Sequence, residues 1–364
     1  MKFFILFLFT LNLVFQPFSQ STYVFFGSFN RDKNTEGIFV YNLDTISGAL
    51  TKITSISSIS NPSFLTIAPN GKYIYACTES KTENAGSVSS FEFNSKDKSL
   101  KFLNSQKSGG ENPVYVSVHS TGKWLVNGNY TEGSVSFYPI LENGNIDSIA
   151  QLIQFKENIS HVHSTVFSPD FKNLIATDLG TNQILIYQFD PSLKSPLKLT
   201  SSINTKIGSG PRHFTFHPNG KFAYCIEELS GMISVYSFQN EELDSLQHVP
   251  SHSAKTKSKL ESSDIHISPD GKFLYASNRG EENNIASYSI GENGLLTFLE
   301  YTSIYGKYPR TFAIDPTGNF ILVTNVTTGN VTVLRRNKIS GKLKKISNKL
   351  KIRNVSCVQI RQYP

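Results

Sequence analysis

Five ionisable side chains hold the chemistry of this sequence: His163, Arg212, Glu228, Arg279 and Arg310. Two or three arginine forks sharing one site suit a carboxylate or a phosphate and can stabilise an oxyanion. Glu228 among them is placed to act as a general base, on water or on a proton next to a carbonyl. His163 could share that work or act as the acid. The chain has no Ser-His-Asp order and no G-x-S-x-G elbow, so an acyl-enzyme is not expected. Without a Cys/His cluster of zinc spacing, neither a metal nor a cofactor is expected.

A repeat brings these residues together. Six segments share one shape, with turn positions at Gly71, Gly122, Phe171, Gly220, Gly271 and Gly318, at intervals of 47 to 51 residues. Each opens with a strand of period-2 alternation, as in Phe214 and Phe216 against His213, Thr215 and His217. An Asn-Gly, Asp-Gly or Thr-Gly turn follows in most of them. A nearly continuous apolar strand (Phe273–Ala276), an alternating third and a short fourth complete the unit. Four antiparallel strands at this period make a propeller blade. Six units leave Tyr23–Phe29, Gly37–Leu43 and Leu50–Thr54 unpaired at one end and Cys357–Ile360 at the other. The expected fold is therefore all-β: a seven-bladed propeller of four-stranded antiparallel blades, with the N- and C-terminal strands sharing one blade.

Comparing the blades with one another locates the site. The residue eight before each turn position is Ser63, Val114, His163, Arg212, Ser263 or Arg310, and the residue eight after it is Glu79, Tyr130, Leu179, Glu228, Arg279 or Val326. Both positions lie at the same mouth of the central channel, because the second strand returns antiparallel to the first. Charge gathers in the third to sixth repeats. Arg310, Asp178 and His213 are expected to help bind substrate, with Glu79 a further candidate. On the strand pattern alone, His213 and His266 read equally as structural histidines. The alternative for the whole set is a group of Arg–Glu pairs that merely neutralise one another.

Composition fits this reading. Of 364 residues, 38 % are hydrophobic and 17 % charged, with 27 Phe and 16 Tyr, which excludes disorder. Three cysteines cannot staple such a chain and should be buried thiols. The balance of 35 basic and 28 acidic side chains, +7, is spread out and does not single out nucleic acid as a partner. The basic run from Lys342 to Arg353 is expected on an outer strand. Lys2, the apolar run Phe3–Phe15, Pro17 and Ser19 read as a signal peptide over residues 1–19, too short to span a bilayer. Residues 20–364 would then form the exported propeller, periplasmic or extracellular, with no membrane span after cleavage. Five N-x-S/T sequons begin at Asn129, Asn158, Asn325, Asn330 and Asn354.

The strings GSGPRHFTFHPNGKFAYCIEEL, HISPDGKFLYASNRG and YPRTFAIDPTGNFILVTN resemble the lactonase seven-bladed propeller family. That family includes the propeller-type 6-phosphogluconolactonases and the fungal carboxy-cis,cis-muconate cyclases. The likeness extends to GGENPVYVSVHSTGKWLVNGNYTEGSVSFYPI, to HVHS, to YVFFGSF and GIFVYNLD at the start, and to SCVQI at the end. The family's His, Arg, Glu and second Arg fall on His163, Arg212, Glu228 and Arg279. The departures are Glu227, Phe171 and His119, where Asn, Gly and Asp are usual. The resemblance implies hydrolysis of a small anionic lactone, 6-phospho-D-glucono-1,5-lactone by analogy. Arg212 and Arg279 would hold the substrate and its oxyanion, Glu228 would activate water without a metal, and His163 would protonate the ring oxygen. Export favours two alternatives: a lactonase or cycloisomerase for an unphosphorylated carboxylated lactone, or a non-catalytic interaction platform.

Overall fold

The computed structural model describes residues 20–364 apart from 58, 79–85 and 156–158. The proposed signal segment and Glu79 therefore lie outside the described residues. Numbered β1 to β28 in chain order, the strands form seven four-stranded antiparallel sheets. Six are simple meanders, such as β16 (Pro211–Phe216), β17 (Phe222–Glu227), β18 (Met232–Gln239) and β19 (Glu242–Pro250). The seventh joins the ends of the chain, in the order β28 (Val355–Tyr363), β1 (Ser21–Ser28), β2 (Ile38–Leu43) and β3 (Leu50–Ile56). The seven-bladed ring expected from the repeat is thus the observed fold, with the C-terminal strand innermost in the shared blade.

Apolar clusters seal the ring, one at each of the seven blade interfaces. One of them packs Tyr224 and Ile226 against Ile265, Leu274 and Ala286 of the next blade. Second strands such as β21 (Phe273–Asn278) are buried at every residue, which accounts for their unbroken apolar runs. All three cysteines, Cys77, Cys225 and Cys357, are buried. Asn129, Asn325 and Asn330, which begin sequons, are buried as well.

Each innermost strand carries one irregularity at the same place. In β4 (Pro62–Ile67), β8 (Pro113–Val118), β12 (Val162–Phe167) and β16 the register against the second strand shifts around Ser63, Val114, His163 and Arg212. The same shift brackets Ser263 in β20 (Ser262–Ile267), Arg310 in β24 (Pro309–Ile314) and Ser356 in β28. The position eight before each turn is thus a bulged residue, re-aimed relative to the pleat. Bulged residues lack a ladder partner within their own sheet, and several of their carbonyls take one from the preceding blade. Thr177 donates to Arg212, the Arg212 guanidinium to Ser263, Ser263 to Arg310, Thr311 to Ser356 and Ser356 to Ser63, at 2.6 to 3.1 Å.

Two of the departures from the family pattern, Phe171 and His119, lie in contact. Phe171 takes the left-handed φ of 60° that glycine holds at the other five turns. Its ring packs 5.3 Å from His119, whose Nε2 lies 3.1 Å from the Phe171 carbonyl oxygen. Since β1 gains its inner partner only from β28, a chain ending at Asn354 should lose its cooperative thermal transition. Calorimetry of that truncation, with and without a peptide covering residues 355–364, tests this.

Candidate active site

Arg212 is the centre of the mouth. It is 1 % exposed, and three of its five N–H groups are used within the protein. Nε donates to Glu228 Oε2 at 2.7 Å; Nη1 donates to the Ser263 carbonyl at 2.6 Å and to His213 Nε2 at 3.1 Å. Nη2 has no hydrogen-bond partner among the described residues, leaving two donors for a ligand. Burial above all pushes the guanidinium down to about 10, still fully charged at neutral pH.

Glu228 follows the end of β17 and bridges two arginines. Its other oxygen, Oε1, lies 2.9 Å from Arg279 Nη2. Burial alone would raise its pKa, but the charges of Arg212, Arg279 and Arg310 outweigh this and hold it below the ordinary value. The result is a fixed anion of low basicity. Arg279 is anchored by donation from Nη2 to the Ser262 carbonyl and from Nη1 to the Tyr308 hydroxyl, both at 3.0 Å, and its guanidinium lies 4.8 Å from the Tyr308 ring centre. Arg310 stacks on Phe29 at 4.9 Å.

His163 differs in kind. It is 5 % exposed, and its Nδ1 is buried with no hydrogen-bond partner. Burial first, then the charges of Arg212 and Arg310, keep it neutral well below the usual histidine range. Its ring lies 5.2 Å from His213 and 5.6 Å from Tyr130, which stacks on His161 at 4.4 Å. Below it, Phe64 stacks on Tyr115 at 4.3 Å, and both rings meet His213 edge-on. These aromatic groups form a contiguous set of rings around His163 and His213. Among the described residues no group of three or more His, Cys, Asp or Glu could hold a metal ion.

The structure thus gathers His163, Arg212, Glu228 and Arg279 at one mouth, with His213 beneath Arg212. Asp178 has a different setting. Its Oδ1 accepts from the amides of His161, Gly180 and Thr181 at 2.8 to 3.1 Å. It occupies the blade position, seven after the turn, that elsewhere holds Asn129, Glu227, Asn278 and Asn325. Those side chains are buried too and brace their own blades. Glu227 is one of them: its carboxylate accepts from Ser230 and Ser234 at 2.6 Å and meets His248 at 3.1 Å. Two residues that the blade comparison passed over also belong to the site, Tyr308 behind Arg279 and Asp264 behind His213. Asp264 was visible one position along, where the other blades have Phe64, Tyr115, Ser164, His213 and Thr311 and this one alone carries a carboxylate. Replacing Asp178 by Ala strips three amides of their acceptor. The unfolding free energy should fall by about 2 kcal/mol, seen in urea titration as a lower midpoint at unchanged slope.

Comparison with known proteins identifies the family that this fold belongs to. The family model described as "Lactonase, 7-bladed beta-propeller" matches residues 23–360. A 6-phosphogluconolactonase of Formosa agariphila is 40 % identical over 352 residues, 93 % of this chain and 99 % of that protein. Among solved structures, a putative 6-phosphogluconolactonase of Bacteroides fragilis superposes with a TM-score of 0.87 at 31 % identity, over 94 % of this chain and 98 % of the other. The periplasmic gluconolactonase PpgL of Pseudomonas aeruginosa gives 0.88 at 30 %, over 94 % and 99 %. With nearly its whole folded length matched, the chain belongs to the lactonase family of seven-bladed β-propellers.

Proposed function

We propose that the channel mouth hydrolyses a six-carbon sugar lactone, with His163 as the group that moves the proton. By family the chain is a lactonase, a carboxylic ester hydrolase. The observation that carries the assignment of roles is the contrast between its two candidate bases. Glu228 has both oxygens committed to arginines, whereas His163 is neutral and has an unpartnered ring nitrogen. The lactone carbonyl oxygen sits against Arg212 Nη2 and Arg279, which stabilise the negative charge that develops there. His163 takes a proton from water as the water oxygen bonds to the carbonyl carbon. The carbon–ring oxygen bond then breaks and His163 returns the proton to the departing ring oxygen, giving the hydroxy acid. Burial and neighbouring cations make the transient imidazolium a strong acid, which favours that return. His163 keeps the role of acid expected from the sequence, while water activation passes to it from Glu228, whose part is to fix the two arginines.

This allocation has a kinetic signature. His163→Asn should lose roughly 10²–10⁴-fold in kcat. Glu228→Gln, which keeps a hydrogen-bonding side chain, should lose only about tenfold. The reverse ranking would return the base to Glu228. Because His163 is held neutral below its ordinary 6.5, kcat/KM should stay level as pH falls through 6.5 and decline only further down. That decline should vanish in His163→Asn.

The substrate proposed first is the 6-phosphorylated lactone, by likeness to the Formosa 6-phosphogluconolactonase and because Arg212 and Arg279 outnumber Glu228. The signal-like residues 1–19 and the likeness to a periplasmic gluconolactonase of Pseudomonas favour a second reading, export and an unphosphorylated lactone. Initial rates on glucono-1,5-lactone and its 6-phosphate, against spontaneous hydrolysis, choose between them. Rates no faster than spontaneous on both would leave the propeller as a binding platform.

A further inference from the structure

Beneath Arg212 lies a buried hydrogen-bonded file that the proposed chemistry does not use. Asp264 is 3 % exposed, and both its oxygens are fully engaged. Oδ1 accepts from the Ile265 amide at 2.9 Å and faces His213 Nδ1 at 2.7 Å. Oδ2 accepts from the Phe312 amide at 2.9 Å and faces His266 Nε2 at 3.0 Å. Two backbone amides can only donate, so the carboxylate is held in one orientation with an acceptor turned toward each histidine. Burial alone would raise the Asp264 pKa, but His266 and His213 more than reverse this and keep it ionised. An ionised Oδ1 at 2.7 Å requires a proton on His213 Nδ1. Burial and the charge of Arg212 push His213 down to about 4, so the ring is neutral and Nε2 carries a lone pair. That lone pair faces Arg212 Nη1 at 3.1 Å.

We propose that Asp264 and His213 are positioning residues for Arg212: the carboxylate selects the Nδ1–H form of His213, whose Nε2 then fixes the guanidinium so that both Nη2 protons face the lactone. The geometry of the guanidinium supports this. It is planar, so tying Nε to Glu228 and both Nη1 protons to Ser263 and His213 sets the direction of Nη2 as well. Without the His213 acceptor, the Nη1 end would rest on the Ser263 carbonyl alone. The device resembles the way a carboxylate sets the tautomer of a metal-bound or catalytic histidine, with an arginine in the third place.

The inference rests on the lactone-opening reading, and its test separates the two. In Asp264→Asn one oxygen is replaced by an amide group. If that group faces His213, the ring must accept at Nδ1 and carry its proton on Nε2, against the Nη1 donor of Arg212. If it faces the other way, the Phe312 amide loses its acceptor. The kcat for the lactone should fall about tenfold or more with KM changed less than about threefold, as expected for a contact that strengthens in the transition state. Arg212→Ala combined with Asp264→Asn should be no slower than Arg212→Ala alone, since Asp264 acts through Arg212. His213→Gln, which still offers Arg212 an acceptor oxygen, should keep kcat within about threefold of wild type, while His213→Leu should match Asp264→Asn. Nitrogen-15 NMR of histidine-labelled protein at pH 7 should show Nδ1–H for His213 in wild type. Additive losses in the double variant, or Nε2–H in wild type, would overturn the proposal. If wild type opens no lactone, the same double-variant cycle is read on binding of inorganic phosphate: non-additive losses there retain the positioning role and reject the lactonase reading alone.

Discussion

The extra residue in each innermost strand is the constraint from which both the ring and the site follow. A bulge takes one residue out of the ladder, turns its side chain out of the pleat and frees its carbonyl. Several of those carbonyls are satisfied by a donor from the blade before, which ties neighbouring sheets together. The side chains so released are the ones that could do chemistry, His163, Arg212 and Arg310, with Ser63, Val114, Ser263 and Ser356 at the same level. At Arg212 the two consequences meet in one residue, since its guanidinium closes the ring to Ser263 and also pairs with Glu228.

Placing a guanidinium in that position has an electrostatic cost. Burying an ion carries a penalty of several kcal/mol, and removing its partner is worse than never having had the pair. Glu228, the Ser263 carbonyl and the neutral His213 offset that penalty together, and Glu228 is shared with Arg279. A carboxylate so committed holds both arginines in place. In the proposed mechanism the charged cluster orients donors, and the neutral imidazole beside it moves protons.

Much of this was legible in the sequence because the chain supplies six copies of its own comparison. Strand periodicity, the glycine turns and the regular spacing gave the blades, and the odd strands at each end gave the seventh. Bulged residues stood out because the same offset from each turn marks them, whether or not a bulge is foreseen. What stayed hidden was direction and pairing. Asp178 and Glu228 look alike as acidic residues near the ends of second strands. One sits on the residue that pairs within the ladder and braces its loop, and the next position along reaches the mouth. Glu227 and Glu228 illustrate the same difference side by side. Asp264 stands out in the repeat only as a lone carboxylate one position from the offset compared, and the four donors that three strands bring to it are not written in that pattern.

The shared blade also has a bearing on how the molecule is made. β1 is the first strand to leave the ribosome and β28 the last, and neither the seam blade nor the interface it forms with β4 is complete until both are present. More than 300 residues separate the paired strands, so closing the seam requires the longest loop the fold contains. Blades in between can form from local hairpins as they emerge. The circle itself closes only after β28 has emerged, and until then β1 presents an open edge for another chain to pair with.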